Sequence, residues 1–255
     1  MSTWLLLFRK EMLESTRNYK WIWIPLVFLL LGISNPVTTY FMPQILESSG
    51  VAADLVPVPT SVEIMAKSLS QYGTLGLLIL ALSFMGIVAA ERQSGSAIMV
   101  LVKPVSHRSY ILAKWSGMTV LTLAAVGLGQ LGTWYYTNIL FESVPFRLVW
   151  TSLLVYALWL LFINTITLFL SCLMKSVGGI AFISLGVAAV LAILTQVLDH
   201  TMKWSPSRLT GAASQILLSG QGGGDMWLAI ALTIAFIAAL LAGSVTASRR
   251  MWTKS

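Results

Sequence analysis

Few side chains in this sequence could do acid–base, nucleophilic or metal chemistry, and those few are not spaced to act together. The chain has two histidines, His107 and His200, and one cysteine, Cys172. An intramembrane metalloprotease needs two histidines one helical turn apart with a glutamate between them, and His107 and His200 are far from each other. A zinc or haem site fails on the same ground. A serine hydrolase would need a general base beside its nucleophile, and the long apolar runs of this chain hold no His, Asp, Glu or Lys. His107 therefore reads as an interfacial residue, His200 as a loop residue, and Cys172 as a small apolar helix residue unable to close an intrachain disulfide. The glycine-rich stretch Gly220-Gln221-Gly222-Gly223-Gly224 has neither the lysine nor the helix start of a phosphate cradle, so no nucleotide site is encoded.

What remains are uncharged polar groups inside apolar surroundings. Gln130, Asn138, Asn164, Thr165 and Gln196 are candidates to line a translocation path, with Thr133, Thr167 and Thr195 beside them. Hydrogen bonding between helices, worth roughly 0.6–2 kcal/mol per contact in membranes, is the alternative, and the sequence leaves both open. Ion-coupled carriers and proton relays place ionisable groups at membrane depth; their absence from the apolar runs argues against that class.

Those residues have to be positioned by membrane helices. Of the 255 residues, 57% are hydrophobic and 10% charged, with a mean hydropathy of +0.83. A soluble domain carries about 25% charged residues. Charges divide the chain into uncharged runs at 21–46, 68–90, 115–141, 148–174, 176–198 and 226–248. Each is long enough to cross a hydrocarbon layer of about 30 Å, which takes about 20 residues. Backbone groups in lipid must pair within their own segment and the runs lack a period of two, so the spans are helices. Pro25 falls early in the first helix, and Asn35-Pro36 is expected to kink or end it. The fold class is an all-α membrane protein with six transmembrane helices. The run 209–224, broken by glycines, is too short to span and suits a re-entrant segment between the fifth and sixth spans.

Lysine and arginine set the orientation. With the N-terminus in the cytoplasm, twelve of the sixteen basic residues lie on the inner side; Lys67, Arg147, Lys203 and Arg208 lie outside. This places both termini in the cytoplasm. It also explains the net charge of +7 without nucleic acid. The N-terminus does not resemble a cleaved signal peptide, because the apolar run Trp4–Phe8 is too short. Trp4, Phe8, Met12 and Tyr19 recur at near-helical spacing among Arg9, Lys10, Glu14 and Arg17, which describes an amphipathic interfacial helix over residues 1–20. Residues 21–248 form the six-span unit and 249–255 a cytoplasmic tail. On the outer side, 43–67 and 199–224 are expected to be loops.

The inner loop after the second span is the most informative stretch. It opens on Glu91-Arg92 and Gly95, continues through the apolar Ile98, Met99, Leu101 and Val102, and stops at Lys103-Pro104. The residue before proline is biased out of the α region, so a short helix ends there. Ser106 is placed to cap the next helix. A helix this apolar on a cytoplasmic face calls for a partner surface. Glycines at 127, 129 and 132, and at 73 and 76, invite close helix packing, within one subunit or between two.

The loop resembles the cytoplasmic coupling segment of ABC-2 exporter permeases, with Glu91-Arg92, Gly95 and Lys103-Pro104-Val105-Ser106 followed by Tyr110, Leu112 and Lys114. The layout of the whole chain is similar too. Two departures are that Ser96-Ala97-Ile98-Met99 replaces a more usual helix start, and that the inner loop 174–177 is very short. The resemblance implies a bacterial-type plasma-membrane permease that itself binds no cofactor. Its partners would be two copies of a P-loop ABC ATPase, which bind ATP and Mg, and a second permease subunit, a homodimer being preferred over a heterodimer. The coupling segment Glu91, Arg92, Gly95, Ile98, Met99, Leu101, Val102, Lys103 and Pro104 would contact the ATPase. The cargo would be an amphipathic peptide, antibiotic or lipid-linked compound, as in efflux or antimicrobial resistance. An ATP-independent channel or secondary carrier is the alternative.

Overall fold

The computed structural model describes residues 3–48, 50, 59–94, 106–198 and 201–252. Its helices are α1 (Thr3–Arg17), α2 (Lys20–Ser48), α3 (Ser61–Gln71), α4 (Leu77–Phe84), α5 (Ala89–Gln93), α6 (His107–Leu140), α7 (Phe146–Leu173), α8 (Val177–Val197), α9 (Arg208–Ser219) and α10 (Met226–Trp252). No strand occurs among the described residues. A π-helical turn, Tyr72–Gly76, joins α3 to α4. Six helical stretches are long and apolar enough to cross a membrane: Lys20–Ser48, Ser61–Gln93, His107–Leu140, Phe146–Leu173, Val177–Val197 and Met226–Arg249. The protein is a multi-pass, all-helical membrane protein.

The helices outrun the uncharged runs, and this corrects two expectations. Residues 43–67 are not a continuous loop: α2 continues through Pro43 to Ser48, and α3 begins at Ser61 with Glu63 and Lys67 inside it. Thr60 and Glu63 form a reciprocal capping box that starts α3. At the other end α6 starts at His107 on the expected Ser106 cap and carries Lys114 inside it, ahead of the uncharged run. The 209–224 run is likewise more regular than its glycines suggest, since Arg208–Ser219 is one helix that ends at Gly220 in the left-handed conformation. It packs on α7 and α3.

Pro36 does not end α2, and the reason is visible in its neighbours. Proline has no N–H to give to the carbonyl four residues back, which is that of Gly32. The Thr133 hydroxyl on α6 donates to the Gly32 carbonyl instead, at 3.0 Å, and Tyr72 stands 3.3 Å from the same hydroxyl. The exchange needs the α2 and α6 backbones nearly in contact. A Cβ added to Gly32 would fall 2.2 Å from the Gly129 carbonyl oxygen, and one added to Gly129 would fall 2.6 Å from that of Phe28. So these glycines pack helices within one subunit. Gly132 meets Leu29 and Ile33 of α2 in the same seam, and Gly76 meets Phe28.

A second interruption is repaired the same way. The helix breaks between Phe84 and Ala89, which deprives N–H groups of their partners. Ser171 of α7 accepts from Val88 N at 3.1 Å and Ala89 N at 3.0 Å, and donates to the Met85 carbonyl at 3.1 Å. One hydroxyl thus answers two N–H groups and a carbonyl left open by the break and ties the start of α5 to α7.

Candidate functional site

The coupling segment is rooted at α5 and at the start of α6. Gly95, Ile98, Met99, Leu101, Val102, Lys103 and Pro104 lie outside the described residues; Glu91 and Arg92 lie on α5. Ser106 caps α6, its hydroxyl accepting from Ser109 N at 3.1 Å.

Between the two roots sits a buried ion-pair network. Lys114, 1% exposed, points its ammonium at Glu91 Oε1 (2.9 Å) and at Glu11 Oε1 of α1 (3.0 Å). Lys10 of α1 also pairs with Glu91, and with Glu14 at 2.8 Å and Glu11 at 3.2 Å. The Tyr110 hydroxyl donates to the other Glu91 oxygen, and its ring lies 5.1 Å from the Lys114 ammonium. Burial pulls the Lys10 ammonium toward its neutral form, but Glu11, Glu14 and Glu91 outweigh it and raise its pKa. Glu11, Glu14 and Glu91 together have the spacing of a metal-ligating group. Two lysine ammoniums already occupy the space among them, so the arrangement is an ion-pair cluster.

α1 lies against α6 at Gly117, where an added Cβ would stand 3.3 Å from Met12 Cε and 3.5 Å from Glu11 Cβ. Glu11 is buried toward α6 while Leu5, Leu6 and Leu13 remain exposed. The side that α1 turns inward is therefore centred on a carboxylate. Other contacts tie down the same end of the bundle. Gln93 donates to the Lys175 carbonyl at 2.7 Å, beside the 174–176 connection, Lys20 donates to the Ser83 carbonyl at 2.8 Å, and His107 Nδ1 lies 3.3 Å from Ser248 Oγ on α10. α1, both roots of the segment and the last helix thus meet on one face.

The five polar candidates do not converge. Asn164 donates to Thr122 at 2.8 Å, and Thr165 accepts from the Trp115 indole at 2.9 Å, so both join α7 to α6. Asn138 accepts from Val144 N at 2.9 Å and closes the α6–α7 turn. Gln130 is buried in α6 with neither amide atom hydrogen-bonded. Gln196 stands apart from them, on the wall of a cavity of about 1030 Å³ at the opposite end of the bundle. Sequence reasoning did not single out Glu11 and Lys10, which meet Glu91 from eighty residues away. Their one signal was a charged cluster on an otherwise apolar N-terminal helix.

Residues 5–205 match the ABC-2 family transporter proteins. The chain is also 32% identical over 254 residues, 98% of each chain, to the uncharacterized transmembrane protein YxlG of Bacillus subtilis (strain 168).

Proposed function

Because the chain belongs to the ABC-2 transporter family, we propose that it is the permease subunit of an ATP-driven exporter whose ATPase is a separate polypeptide. Membership in the family implies association with an ABC ATPase. The observation that carries the finer reading is the Lys114 ammonium, which holds Glu91 and Glu11 on either side of it. Both roots of the segment 94–106 and helix α1 are joined there, so a push on the segment is delivered to α5, α6 and α1 together. Rigid-body rocking of packed helices is an established route from nucleotide-driven closure to a change of access.

On this reading the face bearing α1, the 174–176 connection and the end of α10 is cytoplasmic, as the lysine and arginine distribution requires. Two permease copies pair in the plasma membrane above two ATPases. The ATPases hold ATP and Mg, and the short apolar helix around 93–102 seats in them. The cargo is amphipathic, since the spans carry no charge at mid-depth to receive a bare ion. The test is co-purification with a P-loop ABC ATPase co-expressed with this chain. Met99→Glu or Leu101→Asp should abolish both recovery of the ATPase and its stimulation. If both variants keep them, the segment is not the docking site and the assignment fails.

A further inference from the structure

Helix α1 has two faces, and the bundle uses only one of them. Glu11 is buried against α6, with Trp4, Leu7 and Phe8 half-buried on the same side. The outer face carries Leu5, Leu6 and Leu13, which are 40%, 51% and 52% exposed. Leu6, Arg9, Leu13 and Arg17 follow one another at steps of a helical turn, so they form one stripe. The other cations near α1 are already taken. Lys10 and Lys114 pair with carboxylates, and Lys20 donates to the Ser83 carbonyl. Arg9 and Arg17 are exposed and meet no carboxylate among the described residues.

The attachments of α1 fix what surrounds that stripe. Only Asn18 and Tyr19 join it to the first span, with Tyr19 making the turn at a φ of 56°. Along its length Glu11 and Met12 rest on Gly117, just beyond Lys114, where α6 passes from its last inner charge into its uncharged run. α1 therefore lies at the boundary between headgroups and hydrocarbon. A helix at that depth buries apolar side chains among the acyl chains and keeps its basic ones among the headgroups. Arginine is long enough to reach a phosphate from a position flanked by leucines.

We infer that the outer face of α1 binds anionic phospholipid of the leaflet in which it lies, Leu6 and Leu13 entering the acyl region and Arg9 and Arg17 holding the phosphates. A headgroup without net charge would serve the leucines equally and the arginines less. A second copy of this chain docked through the same face would set arginine against arginine. The opposite face of the helix carries Glu11 to the ion-pair cluster, so lipid bound here steadies the roots of the 94–106 segment. That consequence rests on the exporter reading; lipid binding is measured without an ATPase, so the two fail separately.

The experiment uses the purified full chain in phosphatidylcholine nanodiscs doped with photoreactive phosphatidylglycerol or photoreactive phosphatidylcholine, the reactive group near the start of the acyl chain. Phosphatidylglycerol adducts should map to Leu5, Leu6 and Leu13 and exceed phosphatidylcholine adducts there severalfold. Arg9→Gln and Arg17→Gln should each lower phosphatidylglycerol labelling about fivefold, the worth of one basic residue at an anionic surface. Neither should change phosphatidylcholine labelling. The double variant Arg9→Lys with Arg17→Lys should keep most of the preference, and Arg147→Gln, at the other end of the bundle, should leave α1 labelling unchanged. Added salt should shrink the preference. Glycerol phosphate in the buffer should not compete, because it offers the leucines no acyl chain. The inference is overturned if the two lipids label α1 equally, if both glutamine variants label like the parent, or if glycerol phosphate displaces the probe. It is also overturned if a co-expressed P-loop ABC ATPase shields Leu13, which would make this face a protein contact.

Discussion

The Lys114 ammonium lies 2.9 Å from Glu91 Oε1, and so closes the neck of the segment between them with a buried ion pair. Buried charges are costly unless fully paired, and removing one partner leaves the other stranded. Lys114 neutralises two such carboxylates, Glu91 and Glu11.

Lys114→Met should therefore destabilise the protein by about 1.5–3 kcal/mol, the worth of a hydrogen bond to a charged group, because Lys10 still meets both Glu91 and Glu11. Glu14→Gln, at a carboxylate with a half-exposed side chain that meets Lys10 alone among the lysines, should be nearly silent. Thermal unfolding of the purified variants in detergent separates the two. Equal transitions would mean that the cluster contributes nothing to the fold.

Ser171→Ala should cost about 1–3 kcal/mol by leaving the Val88 and Ala89 N–H groups unsatisfied. Amide exchange should accelerate at those two positions before it changes elsewhere in the bundle.

Gly32→Ala and Gly132→Ala form a graded pair. At Gly32 the new methyl meets a backbone oxygen at 2.2 Å, which cannot yield without separating α2 from α6; at Gly132 it meets the end of Leu29, which can swing aside. The first variant should fail to accumulate as folded protein, and the second should persist with a lowered unfolding temperature. Size-exclusion recovery after solubilisation reads the difference.

Orientation can be tested with single cysteines. In a Cys172→Ala background, Ser176→Cys should react with an impermeant maleimide in inverted vesicles and stay protected in intact cells, and Lys203→Cys should do the reverse. The opposite pattern would turn the 94–106 segment outward and remove any route to an ATPase.

The six crossings could be read from the sequence because a bilayer imposes a length and a charge rule that any spanning segment must meet. Helix ends were legible at the Ser106 cap, but not where a charged residue continues a helix because it finds a partner or solvent. Glu63 and Lys67 both do so, which is why 61–67 are helical where the charges suggested a loop. For the candidate site, Glu91 and Arg92 were marked by their local pattern. The Glu11–Lys114 pair was not, because its members lie 103 residues apart and no local periodicity links them.

Composition and charge order alone thus determined an all-helical membrane protein of six spans, because the solvent forces that choice on the backbone segment by segment. The tertiary structure decided which glycines face which helix, that Pro36 is answered by Thr133, and that Glu11 meets Lys114. Each of these depends on two distant segments approaching within about 3 Å. Such an approach is set by packing in three dimensions, and the order of residues along the chain does not record it.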